Sequence, residues 1–111
     1  VADYVPRKGD WVTLSFDPRS GHEQQGRRPA LVISNDLFNQ ATGLCVVCPV
    51  TDSSRTYPFH VPVPEGASVT GVVMAEQVRS VDFRARAARP IGQAPESLLD
   101  EVLAILDACL Y

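Results

Sequence analysis

The sequence predicts a mainly β protein: a small, strongly bent β-barrel with short helices, closed by a C-terminal amphipathic helix. Three observations predict it. Several short apolar runs are β-branched or alternate with a period of two, a long polar loop interrupts them early, and helical periodicity is confined to the chain's end.

The first strand spans about residues 10 to 16, where Val12, Leu14 and Phe16 alternate with Trp11, Thr13 and Ser15 after the turn signal Lys8-Gly9-Asp10. Residues 17 to 28 break that pattern, with Pro18, Gly21 and Gly26 punctuating a polar run that has no apolar stripe to bury. Ala30-Leu31-Val32-Ile33 and Leu44-Cys45-Val46-Val47 read as two buried strands around a short helix that starts at Ser34-Asn35-Asp36. A fourth strand carries Phe59, Val61 and Val63. Its prolines, Pro62 and Pro64, remove ladder donors and place it at an edge or an end. Residues 71 to 79 read as a fifth strand, apolar from Val72 to Ala75 and polar from Glu76, where it leaves the core; Met74 is expected inside. Pro95-Glu96-Ser97 opens the terminal helix, in which Leu98, Leu99, Val102, Leu103, Leu106, Cys109 and Leu110 form one stripe and the acids lie largely opposite.

With 111 residues, 45% hydrophobic and 21% charged, the chain fits one domain over residues 1–111. Its apolar runs are far shorter than the roughly 20 residues that cross a bilayer, and Val1-Ala2-Asp3-Tyr4 lacks a basic-then-apolar pattern. No membrane partner is expected. Three cysteines, two of them in one buried strand, suggest a reducing compartment, the cytoplasm. Cys45 and Cys48 have no second pair, and His22 and His60 have no matching spacing, so neither a metal nor a cofactor is expected.

A net charge of −3 argues at first against nucleic acid. Glu96, Asp100, Glu101 and Asp107 give residues 95–111 a charge of −4, however, which leaves +1 for the rest. A basic surface can therefore form around Arg27, Arg28 and Arg55, or around Arg79, Arg84, Arg86 and Arg89; scattered solvated charges are the alternative. The loop Gly21-His22-Glu23-Gln24-Gln25-Gly26-Arg27-Arg28-Pro29 spends folding entropy on residues that add little core, which points to function; a solvated connector is the alternative.

Phe16-Asp17-Pro18, Gly21-His22-Glu23-Gln24-Gln25-Gly26, Arg28-Pro29-Ala30-Leu31-Val32 and Pro49-Val50-Thr51 resemble, in order, signature blocks of the MazF/PemK toxins. Phe38-Asn39, Tyr57-Pro58-Phe59, Gly71-Val72-Val73 and Gln77-Val78-Arg79 extend the resemblance over nearly the whole chain. It implies an SH3-like barrel of the CcdB/MazF type. It also implies a sequence-specific, metal-independent endoribonuclease that cuts single-stranded RNA, chiefly mRNA, and arrests translation. Such a toxin is a homodimer neutralised by a cognate antitoxin, whose disordered acidic tail would cover the arginines.

On that resemblance the expected catalytic residues are Glu23, Arg28 and Thr51. Glu23 accepts the ribose 2′-proton, Arg28 holds the phosphate oxygens, and Thr51 donates a hydroxyl hydrogen bond to them. Their alternatives are an exposed Glu23–Arg28 ion pair and a turn-forming Thr51. The expected RNA contacts are His22, Arg27, Arg55, Tyr57 and Gln77. His22 is a general acid, a stacking ring or a structural loop residue; Gln77 reads a base edge or makes a rim hydrogen bond; Phe16 belongs to the core or stacks on a base. Some PemK-like members place an Arg-x-Asp pair on the fifth strand, where this chain has Met74-Ala75-Glu76, which favours the Glu23, Arg28 and Thr51 site. It leaves Glu76 a rim contact and the leaving-group acid unassigned. The alternative function is that of the related CcdB toxins, a non-catalytic protein contact with DNA gyrase. A peptide-binding SH3 module needs an aromatic groove that a single tryptophan, Trp11, supplies poorly.

Overall fold

A computed structural model of the chain describes residues 4–15, 27–52 and 58–111. The elements are β1 (Asp10–Ser15), β2 (Arg27–Val32), α1 (Asp36–Thr42), β3 (Leu44–Thr51), β4 (His60–Pro62) and β5 (Val72–Met74). A 3-10 turn (Ala75–Gln77), β6 (Arg79–Asp82), β7 (Arg89–Gln93) and α2 (Glu96–Leu110) complete them. All strand pairs are antiparallel, in the order β4-β5-β3-β2-β1-β7, with β6 added to the first half of β3. The mainly β class with a terminal helix is as expected, although the described hydrogen-bonded path is open rather than closed on itself.

The central strands are buried on both faces. Trp11, Leu31, Cys48 and Val50 pack with Val61, Val73 and the helical Leu98 and Val102. On the other side Val12, Leu14, Ala30, Val32, Cys45 and Val47 pack with Val81 and Phe83. Alternate side chains of one strand point to opposite faces, so each central strand feeds both clusters. The alternation expected of β1 holds from Val12 to Ser15, where buried Val12 and Leu14 alternate with half-buried Thr13 and Ser15, whereas Trp11, on the face of Thr13 and Ser15, is fully buried as well. Trp11 offers no aromatic groove.

Helix α1 sits between β2 and β3. Asn35 caps its start by accepting from the Phe38 amide at 2.8 Å, and Gly43 ends it in the left-handed region with φ of 74°. Inside it, the buried Asn39 donates to the carbonyls of Pro6 and Ser34 and accepts from the Ser34 hydroxyl, which ties the N-terminal segment to the sheet.

Two expected elements need correction. The fifth strand does not run unbroken from 71 to 79. Between the rungs Val50↔Val73 and Val47↔Arg79, β3 advances three residues and its partner six, so three residues loop out as the 3-10 turn. Ala75 is buried there while Glu76 and Gln77 project outward, and Met74 is half-buried rather than in the core. The terminal stripe is also shorter than expected. Leu98 and Val102 are buried and Leu99, Ile105 and Leu106 pack against them, but Cys109 and Leu110 are exposed, as are the four acids. No described helix is long and apolar enough to cross a membrane.

Candidate active site

Strand β2 begins at Arg27, not after the polar loop, because Arg27 and Arg28 pair with Ser15 and Leu14 of β1. Residues two apart on a strand share a face, so Arg28 lies on the side of Ala30 and Val32, beyond the edge of their core. The outermost β2–β3 rung joins Ala30 to Pro49. Two residues further along both strands, Arg28 comes opposite Thr51, the last residue of β3. A cavity of about 360 Å³ opens there, lined by Arg27, Arg28, Pro29, Val50, Thr51, Asp52 and Thr70. Two of the three expected catalytic residues thus meet at one cavity. Glu23 lies outside the described residues, as do His22, Arg55, Tyr57 and Phe16.

Arg27 shares the cavity wall, but its Nη2 is committed elsewhere. It donates to the Thr13 carbonyl (2.9 Å), the Thr13 hydroxyl (2.7 Å) and the Ala87 carbonyl (2.8 Å). Burial, with the charge of Arg89, lowers its pKa from the usual arginine value. A like charge nearby is a cost that a bound anion would relieve. Arg86 donates from Nη1 to the Ser15 carbonyl at 3.1 Å, and Arg89 is paired with Thr13. Three arginines therefore gather at the end of β1, close to exposed Arg28. This is a local positive field despite the negative total.

Gln77 is not at this cavity. It is exposed on the 3-10 turn and lines a second hollow of about 410 Å³ with Pro58, Phe59 and Glu76, where Phe59 is 45% exposed. Glu76 lies 2.9 Å from Nε2 of the nearly buried His60, a pairing between β4 and the turn that sequence spacing does not reveal.

Asp52, Thr70 and Gly71 were missed as site residues. The Thr70 hydroxyl donates to Asp52 Oδ1 at 3.1 Å. The available signal was Gly71 at the mouth of an apolar strand, where a glycine often marks close backbone approach. Cys45 and Cys48 are buried, one in each core cluster, and burial pushes both thiols up to about 12. Among the described residues, no three His, Cys, Asp or Glu side chains gather as a metal cluster.

Residues 7–110 match the family described as PemK-like, MazF-like toxin of type II toxin-antitoxin system. The endoribonuclease toxin MazF of Escherichia coli K12 is 46% identical over 99 residues, 88% of each chain. The crystal structure of MazF from Deinococcus radiodurans superposes with a TM-score of 0.87 at 48% identity, covering 97% of this chain and 98% of that one. A MazE-MazF crystal structure from the same organism gives 0.86 at 44% identity, covering 97% of both. On a family match that spans nearly its whole length, this chain belongs to the PemK-like, MazF-like toxins of type II toxin–antitoxin systems.

Proposed function

We propose that this chain, an endoribonuclease of the MazF/PemK family, cuts single-stranded mRNA at a short sequence without a metal ion and thereby arrests translation. The observation that carries the reading is the cavity where Arg28 and Thr51 meet at the ends of β2 and β3.

Cleavage by the ribose 2′-hydroxyl has three requirements. The hydroxyl must lose its proton, the in-line phosphorane's added negative charge must be stabilised, and the leaving 5′-oxygen must gain a proton. Glu23 is the base. Arg28 binds two non-bridging oxygens with its planar fork, and Thr51 donates its hydroxyl to the same group. Both sit near strand ends, so their backbone is placed before substrate arrives, which favours donors held in position. The products are a 2′,3′-cyclic phosphate and a free 5′-hydroxyl, with no water attacking.

Arg27 contributes positive field and a wall, while its Nη2 braces the sheet. The second hollow suits a flanking base: the exposed Phe59 ring offers a stacking face and the Gln77 amide can read a base edge. His22, Arg55 and Tyr57 are proposed to extend the RNA path. A homodimer would join two such surfaces into one groove. The solved MazE-MazF relative supports a cognate antitoxin for this chain, one whose acidic segment competes with RNA for Arg28 and its neighbours. Against the gyrase alternative, the Escherichia coli relative described above is named as an endoribonuclease toxin.

The test is a long RNA incubated with purified protein and EDTA, with Arg28→Ala in parallel. Cutting that survives EDTA and disappears in the variant is expected. EDTA-sensitive cutting, or equal cutting by the variant, would refute the proposed site.

A further inference from the structure

We infer that Gly71 is a positioning residue for cleavage: its bare Cα sets the place of Thr51 at the end of β3. The inference rests on the reading of the Arg28–Thr51 cavity as the phosphate site. Gly71 has φ of +115°, a conformation that side-chain-bearing residues rarely adopt. A Cβ there would stand 1.9 Å from the Thr51 carbonyl oxygen, 2.7 Å from its carbonyl carbon and 3.1 Å from the Asp52 Cα. All three are backbone atoms, so no flexible side chain can swing aside. Either Thr51 moves or β5 does.

The surroundings give β5 little room to move. The Gly71 carbonyl accepts from the Val63 amide at 2.9 Å, and the next two residues pair with β3 in the rungs Val72↔Thr51 and Val73↔Val50. Val73 is fully buried between β3 and β4. From the residue before, the Thr70 hydroxyl reaches the Asp52 carboxylate at 3.1 Å. Gly71 therefore bears on the backbone at the end of β3 and Thr70 on the Asp52 side chain just beyond it, and Thr51, Asp52 and Thr70 share a cavity wall with Arg28. A substituent at 71 shifts Thr51 by roughly 1 Å, the scale at which reactive geometry is lost. Thr51 is proposed to act on a phosphate oxygen that is already negative in the ground state and gains further charge in the transition state, so the shift slows turnover more than it weakens binding.

The experiment is a double-mutant cycle on a short RNA carrying a cleavage site mapped with the wild-type protein. kcat, KM and Tm are measured for Gly71→Ala, Thr51→Ala and the double variant, below every Tm. Expected is a kcat lower by about 10- to 100-fold in Gly71→Ala with KM within about twofold, and almost no further loss when Thr51 is already alanine. A merely structural defect would reduce activity equally in both backgrounds, so additive losses, or a lowered Tm with kcat retained, overturn the inference. Should Gly71→Ala not fold, the same cycle with Thr70→Val, which removes the hydroxyl and keeps the shape, must give a smaller loss of the same non-additive form. Wild-type rates in both Arg28→Ala and Thr51→Ala would instead defeat the phosphate-site reading itself.

Discussion

Arg28 stands across the sheet from Thr51, two residues beyond the outermost β2–β3 rung, so the register of two core strands brings the backbone of both residues to the wall of one cavity. Removing a preorganised donor typically costs about 2.7–4 kcal/mol, or 100- to 1,000-fold in kcat. Arg28→Ala is expected to lose activity on that scale with Tm unchanged, since the residue is exposed. Arg28→Lys should recover only part of it, because an ammonium cannot bridge two oxygens as the planar fork does. Single-turnover cleavage beside thermal melts checks both.

Arg27→Ala is expected to behave in the opposite way. It removes the two N–H groups of Nη2, shared among three acceptors, that join β2 to β1 and to the turn before β7, and it leaves the acceptors at Thr13 and Ala87 without that donor. A stability loss of about 1–3 kcal/mol follows. Urea unfolding at fixed pH measures it, and a midpoint equal to that of Arg28→Ala would show that the bonds carry no net weight.

Asp52 places a carboxylate in the wall of the cavity proposed to take the phosphate, where it would oppose an incoming anion. Asp52→Asn keeps an oxygen for the Thr70 hydroxyl and removes the charge. RNA affinity is expected to rise by a few-fold at low salt, with the gain shrinking as salt screens it. Fluorescence anisotropy over a salt series reads this directly, and an unchanged or weaker affinity at low salt would place the carboxylate outside the phosphate's reach.

The buried thiols predict an alkaline limit. The pKa values of Cys45 and Cys48 rise from 9.0 to about 12 on folding because burial disfavours the thiolate. The unfolded chain then releases these protons first, so their contribution to stability is complete below about pH 9 and declines as pH rises towards 12. At pH 8 iodoacetamide should modify exposed Cys109 and spare the other two until denaturant is added. Peptide mapping would count against the buried assignment if Cys45 or Cys48 reacted in the native protein.

What the sequence revealed, and what it hid, follows from where each pattern originates. The runs at Ala30–Ile33 and Leu44–Val47 were legible because both faces of those strands are buried, which leaves a local apolar signature. β6 and β7 were not read as strands. Arg79–Asp82 and Arg89–Gln93 are mostly exposed, and their extended form comes from pairing with β3 and β1 rather than from their own side chains. The break after Met74 was hidden because no glycine or proline marks it; it is set by the register of β3. Arg28 and Thr51 came from the family resemblance, and the register supplies a physical reason for their meeting. The bracing role of Arg27 was not legible, since its partners lie 14 and 60 residues away and include two backbone carbonyls. The same holds for Gly71, whose importance lies in the neighbouring Thr51 backbone rather than in any side chain.

On the proposed mechanism the cavity between Arg28 and Thr51 holds a phosphate attacked by the neighbouring ribose 2′-hydroxyl. Mass spectrometry of the fragments from a mapped RNA site, cut in EDTA, tests it most directly, alongside the same RNA with a single 2′-deoxy residue on the 5′ side of the scissile bond. A 2′,3′-cyclic phosphate and a 5′-hydroxyl are expected from the first RNA, with the second bound but uncut. A 5′-phosphate product, or cleavage of the 2′-deoxy RNA, would contradict it.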